Sequence, residues 1–302
     1  MSWLFFHRHI IVSNQENQKN MDCLAGVARE SYYPPTNVID VKSLLKTKEF
    51  LSSLPQSVLK GEDILIPDDV LRKLFRFADL RRSDIFYDLG CGNSSAVAIA
   101  AREFKVKRSI GIEIRRKVAI EARKKVISMN NAEIIIGDIR KAPISDATVL
   151  FFWFNDSRVI EPMVSRFRKE LKNGTRVITI LSPPDLMLPV KTNFPFFLFQ
   201  KPFKYAKKIQ EQIEVIFGKS CIDFVDSWFM AEKYIDELGV VPGKHRRFVN
   251  IFQSMVIWIN AWNTGIACEQ EIPPPVHSYL GILKTFFEID LSDLISKKSD
   301  LI

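Results

Sequence analysis

The stretch Tyr87-Asp88-Leu89-Gly90-Cys91-Gly92-Asn93-Ser94 joins a short apolar run, residues 84–89, to an Ala-rich segment, residues 94–104. An apolar run ended by two closely spaced glycines and followed by helix formers reads as a strand, a tight turn and a helix. The same alternation continues downstream. Strands are expected at 109–114, 132–137, 147–154 and 175–181, with helices at 115–129 and 159–171 between them. Lys172-Asn173-Gly174 closes the last of these helices, since glycine and asparagine accept the left-handed conformation of a helix stop. Strands that are apolar throughout, rather than alternating, are covered on both faces. Segments 196–205 and 212–217 supply two further strands. The fold expected is α/β, a doubly wound, mostly parallel seven-strand sheet with N-terminal helical elements and a C-terminal helical extension.

The turn carries the chemistry. Gly90 and Gly92 let a backbone approach a ligand closely, and the helix that follows presents its positive end there. A dinucleotide fingerprint needs a third glycine, and Ser95 stands in its place. Asp88, two residues before the first glycine, suits a cofactor with a cationic amino-acid end better than a pyrophosphate. S-adenosylmethionine has such an end. Glu113 lies 21 residues after Gly92 at the tip of the second strand, where an acid bonds ribose hydroxyls. Asp138 ends the third strand and suits an adenine amino group, with Ile139 against the ring. Each acid has an ordinary alternative as a solvated loop carboxylate or helix cap; three at consecutive strand ends favour the cofactor.

Asp88-Leu89-Gly90-Cys91-Gly92, Glu113 and Gly137-Asp138 resemble the motifs of class I, seven-strand S-adenosylmethionine-dependent methyltransferases, over about residues 64–217. Ile66-Pro67-Asp68-Asp69-Val70 and the segment 84–92 are similar to the lead-in of archaeal protein-lysine methyltransferases. Phe151-Phe152-Trp153-Phe154-Asn155 and the segment 174–183 look like the same region of the non-SET histone lysine methyltransferases. Asn93-Ser94 stands where the archaeal enzymes usually carry Asp-Gly. The resemblance implies that Asp88, Gly90, Gly92 and Asn93 hold the amino-acid end of the cofactor. Glu113, Ile114, Asp138, Ile139 and Phe154 would hold its nucleoside. Asn155, with Trp153, would sit beside the transferred methyl group and act catalytically on an acceptor amine, first of all a protein lysine. Phe152, Trp153 and Phe154 are either walls of that pocket or core.

Some chemistries are excluded. The fourth strand lacks the Asn/Asp-Pro-Pro-aromatic loop of enzymes methylating exocyclic base amines, no Pro-Cys pair offers a nucleophile for cytosine, and no histidine occurs between His9 and His245. The 302 residues carry a net charge of +8, concentrated in residues 64–218, where 28 basic side chains face 17 acidic ones. Such a surface suits acidic partners, so an RNA acceptor, or a protein substrate that is acidic or associated with nucleic acid, is compatible with it. A non-catalytic protein keeping the same fold is the reading from another class. No apolar run spans a membrane, no metal site is indicated, and Cys23, Cys91, Cys221 and Cys268 form no CxxC pair. The widely spaced cysteines suggest a reduced, cytoplasmic protein without a disulfide framework. The expected domains are 1–63, an N-terminal helical or irregular segment; 64–218, the methyltransferase domain; and 219–302, a helical extension expected to dock on it.

Overall fold

The computed structural model describes residues 65–154, 156–181, 183–184, 186–239 and 245–295; the segment 1–63 and Asn155 lie outside them. The chain divides into two compact units, Asp63–Lys208 and the part of the chain from Ile209 onward.

The first unit starts with α1 (Asp68–Phe77), whose Val70, Leu71, Leu74, Phe75 and Phe77 are buried. These positions recur with the three- and four-residue spacing of a helix burying one face. Strands and helices then alternate: β1 (Ile85–Leu89), α2 (Ser95–Arg102), β2 (Arg108–Glu113), α3 (Arg116–Val126), β3 (Ala132–Ile136), β4 (Val149–Phe152), α4 (Ser157–Glu170) and β5 (Arg176–Ile180). Short strands β6 (Met187–Leu188), β7 (Lys191–Asn193), β8 (Phe196–Gln200) and β9 (Lys204–Tyr205) follow. The main sheet has seven strands in the order β3-β2-β1-β4-β5-β8-β7. The first five are parallel, and β8 runs antiparallel to both β5 and β7. The sheet therefore has the expected class and strand number.

Strand order reverses between β2 and β4, on either side of β1. In open α/β sheets ligands bind at such a switch point, beyond the carboxyl ends of the strands. A buried polar staple fixes the opposite, amino ends. Asp84 accepts from Arg176 Nη2 at 2.6 and 2.7 Å and from Thr148 Oγ1 at 2.8 Å. The Ile85 N–H in turn donates to Thr148 Oγ1 at 2.9 Å. This ties β1 to β4 and β5 in one register, which aligns their carboxyl ends at the site.

The second unit contains helices α5 (Ile209–Phe217), α6 (Phe224–Leu238), α7 (Arg246–Asn263) and α8 (Pro274–Phe287). Its core gathers Phe224 and Trp228 of α6, Phe248, Ile251, Met255, Trp258, Ile259 and Trp262 of α7, and Val276, Tyr279, Leu283 and Phe287 of α8. The prolines at 273–275 do not interrupt α8 but open it, because the first turn of a helix has no use for their missing N–H.

Two expectations are corrected. Residues 212–217 belong to helix α5, not to a strand of the sheet. Ile213, Ile216 and Phe217 are buried while Glu214 and Val215 are exposed, a spacing that only a helix turns to one side. The sheet closes instead with the β7–β8 hairpin. Cys221 and Cys268 form a disulfide, with Cα atoms 5.0 Å apart, across 47 residues. The parallel bridge Ile222↔Ala267 brings them together, and a contact that long-range leaves no mark in local cysteine spacing. Cys91, by contrast, is a buried free thiol. No helix among the described residues is long and apolar enough to cross a membrane.

Candidate functional site

The carboxyl end of β1 runs directly into the glycine turn. Gly90 has φ +83° and Gly92 φ +48°, conformations that side chains with a Cβ disfavour. The two glycines do different work. A Cβ on Gly90 would lie 2.7 Å from Cζ of Phe154, so the turn and the end of β4 close on each other there. A Cβ on Gly92 would meet nothing within 4 Å among the described residues, which leave the space over this residue open. The Gly90 and Cys91 N–H groups donate to the Ile112 carbonyl at 2.9 and 3.0 Å, which pins the turn to β2. Asn93 Oδ1 accepts from the Ser95 N–H at 3.0 Å and so covers an N–H at the start of α2.

Asp88 is 5 % exposed, and no hydrogen bond or ion pair of its carboxylate occurs among the described residues. Burial, and then the nearby charge of Glu113, push its pKa up to about 7. A buried carboxylate without a partner is costly, and a cationic group placed beside it relieves that cost. This feature, with the open backbone at Gly92, fits a small ligand bearing an ammonium group. Glu113 Oε2 accepts from the Gly92 N–H at 3.0 Å, and its Oε1 accepts from the Arg115 N–H and Nε at 2.8 and 3.2 Å. The second acid thus links β2 to the turn and sits beside the same opening. The Cys91 thiol is held neutral, its pKa raised by burial first and by the charges of Asp88 and Glu113 next.

The remaining expected residues are spread along the rim. Ile114 is 61 % exposed and offers an apolar surface next to Glu113. Asp138 follows β3, and its carboxylate is engaged by Arg140: the N–H at 2.9 Å, Nε at 3.0 Å and Nη2 at 2.7 Å all donate to it. Its pKa is lowered, chiefly by that side-chain pairing. Ile139 is buried. Phe154 and Trp153 are partly exposed, and the Phe154 ring packs 5.1 Å from that of Phe152. Phe151 and Phe152 are buried core. The structure brings Asp88, Gly90, Gly92, Glu113 and Phe154 into one neighbourhood, and it does not describe Asn155.

Sequence reasoning did not pair Arg115, Arg140 and Arg158 with the acids that precede them. Glu113-Ile114-Arg115, Asp138-Ile139-Arg140 and Asp156-Ser157-Arg158 each place an arginine two residues after an acid, at the ends of β2, β3 and β4. In each, the arginine N–H and Nε both donate to the acid. The recurring two-residue spacing from acid to arginine is the mark of these pairs in the sequence.

The raised pKa of Asp88 makes ligand binding pH-dependent. A cationic ligand requires the ionised carboxylate, whereas the free protein holds the neutral acid below about pH 7. Affinity for S-adenosylhomocysteine, which carries such an ammonium, should therefore be fully developed above pH 7. It should weaken toward acid by an amount approaching about tenfold per pH unit. Calorimetric titration across that range measures it, with proton release on binding as a second readout. A flat affinity from about pH 5.5 to 8 would contradict this role for Asp88.

Comparison with known proteins supplies independent context. Residues 61–137 match the family model described as Histone methylation protein DOT1. A protein-lysine N-methyltransferase of Saccharolobus islandicus is 36% identical over 118 residues, which cover 37% of this chain and 71% of that protein. Among solved structures, an RNA methyltransferase from Salinibacter ruber in complex with S-adenosyl-L-homocysteine is 25% identical. It covers 49% of this chain and 100% of its own, with a TM-score of 0.42. A SAM-dependent methyltransferase from Geobacter sulfurreducens, also in complex with S-adenosyl-L-homocysteine, is 15% identical over 42% of this chain and 55% of its own, with a TM-score of 0.35.

Proposed function

We propose, for a chain that belongs to the class I S-adenosylmethionine-dependent methyltransferases, that the acceptor is a lysine side-chain amine of a protein. The observation that carries this is the match to a protein-lysine N-methyltransferase over 71% of that relative's length. The matched DOT1 segment, residues 61–137, contains the glycine turn, Asp88 and Glu113.

Roles for the residues follow from their chemistry. Asp88 takes the ammonium of the cofactor and is thereby supplied with the partner it lacks among the described residues. Gly92, with Asn93 behind it, leaves the backbone open to the amino-acid end. Glu113 keeps acceptor capacity for the ribose hydroxyls after binding the Gly92 N–H. Asp138 offers its carboxylate to the adenine amino group if Arg140 shares it, with Ile114 and Ile139 as apolar neighbours. When bound, S-adenosylmethionine supplies a methyl group on a positively charged sulfur that leaves readily. What the protein adds is placement, which is worth several orders of magnitude in rate. Partly exposed Phe154 and Trp153 give the acceptor a low-polarity approach, and a lysine moved from water into such surroundings gives up its proton more easily. Asn155 offers a side-chain carbonyl to the amine N–H, holding the lone pair toward the methyl group.

An acceptor test separates this from RNA methylation. Cell extract incubated with the protein and methyl-labelled S-adenosylmethionine should carry label that protease releases and nuclease leaves in place. Label released only by nuclease would replace the lysine reading with the RNA one.

A further inference from the structure

The three acid–arginine pairs share one geometry and one edge of the sheet. β2, β3 and β4 are parallel members of that sheet, so Arg115, Arg140 and Arg158 all follow carboxyl ends. Arg140 and Arg158 each spend Nε and Nη2 on their own aspartate. The Nη1 of each has no acceptor among the described residues. Arg140 also lies close enough to feel both members of the other pair, since Asp156 and Arg158 are each influenced by its charge. The Arg158 side chain is 86% exposed and that of Arg140 45%. Arg116 and Lys117, in the first turn of α3 after β2, and Lys141, next to Arg140 in the chain, are exposed and form no ion pair among the described residues. The rim thus carries more positive charge than its own acids neutralise.

From this arrangement we propose that the rim formed by Arg140 and Arg158, with Arg116, Lys117 and Lys141 around it, recognises carboxylate-rich segments flanking the acceptor lysine of a protein substrate. This rests on the protein-lysine reading of the site and adds to it the kind of sequence the enzyme selects. A guanidinium fork matches carboxylate geometry, and these forks already hold carboxylates. The Nη1 of each fork can meet a substrate carboxylate while Nε and Nη2 keep Asp138 and Asp156 paired. An exposed apolar residue on the same side of the sheet favours protein over RNA. Ile114, directly after β2, is 61% exposed and offers a contact to side chains, not to a phosphodiester backbone. No large aromatic side chain is fully exposed among the described residues, whereas single-stranded nucleic acid is held largely by stacking on such rings.

Binding is measured by fluorescence anisotropy, without methyl transfer, so a failure here is distinct from a failure of the lysine reading. The probes are a labelled peptide with one lysine among glutamates, its glutamine counterpart, and a labelled uridine oligonucleotide. The glutamate peptide should bind at least about tenfold more tightly than the glutamine one. Arg140→Gln/Arg158→Gln should remove about tenfold or more of that preference and flatten its salt dependence, while Arg158→Lys retains part of it. Because Arg158 is so exposed, Arg158→Gln alone keeps the test valid if the double variant does not fold. Equal binding of the two peptides would overturn the proposal. So would tighter binding of the oligonucleotide that the arginine variants abolish, which would assign the rim to RNA.

Discussion

Asp88→Ala should weaken binding of S-adenosylhomocysteine by about 2–4 kcal/mol, roughly a thirtyfold to thousandfold loss, while leaving the free protein folded. The two halves of this expectation have one cause. Asp88 is buried beside Glu113 and has no hydrogen-bond or ion-pair partner among the described residues, so its ionised form is desolvated and repelled. Its folded pKa, about 7, exceeds the ordinary value of 3.8. The unfolded chain therefore ionises first as the pH rises, and the free protein loses stability between those two values. Removing the carboxyl removes that penalty, so the melting temperature of free Asp88→Ala at neutral pH should equal or exceed that of the parent. Ligand binding suffers in the opposite sense, because the ammonium is then desolvated without a counter-charge. Calorimetry and thermal denaturation on the same preparation read both halves. Undiminished affinity in a folded Asp88→Ala protein would remove Asp88 from the ligand site.

The second large effect is on rate. Asn155→Ala should lower kcat on a protein acceptor by about tenfold to a thousandfold, the scale of one positioning group, with affinity for S-adenosylhomocysteine nearly unchanged. In the sequence Asn155 follows Trp153 and Phe154, three residues after the last residue of β4. An interaction with the attacking amine is made mainly in the transition state, so its loss appears in kcat and kcat/KM together. A raised KM with unchanged kcat would instead mark Asn155 as a residue of general acceptor binding. Full turnover on both counts would remove the one residue-level link between the lysine enzymes and this chain's chemistry.

How much of this was legible in the sequence depends on the range of the interactions concerned. Gly90, Gly92 and Asp88 stood out because turn chemistry and strand periodicity are local, and Glu113 because β2 adds next to β1 at a regular distance along the chain. The polar staple of Asp84, Thr148 and Arg176 spans 92 residues, and nothing in local spacing points to it. The Cys221–Cys268 bond escaped for the same reason. Residues 212–217 were misread because a short apolar run fits a buried strand as well as a helix. The arginines were missed by a different route. Asp138 reads alone as a free acceptor, whereas the structure shows that Arg140 two residues later already holds it. Local spacing carried that information once an acid and an arginine were read as a unit.

Methyl transfer to lysine leaves a product that chemical analysis identifies. Protein acceptors labelled by the purified enzyme with methyl-labelled S-adenosylmethionine are hydrolysed to free amino acids and separated. The label should migrate with Nε-methylated lysine, and the Asp88→Ala enzyme should produce almost none. Label on any other amino acid, or label found only in nucleosides from the same reaction, would contradict it.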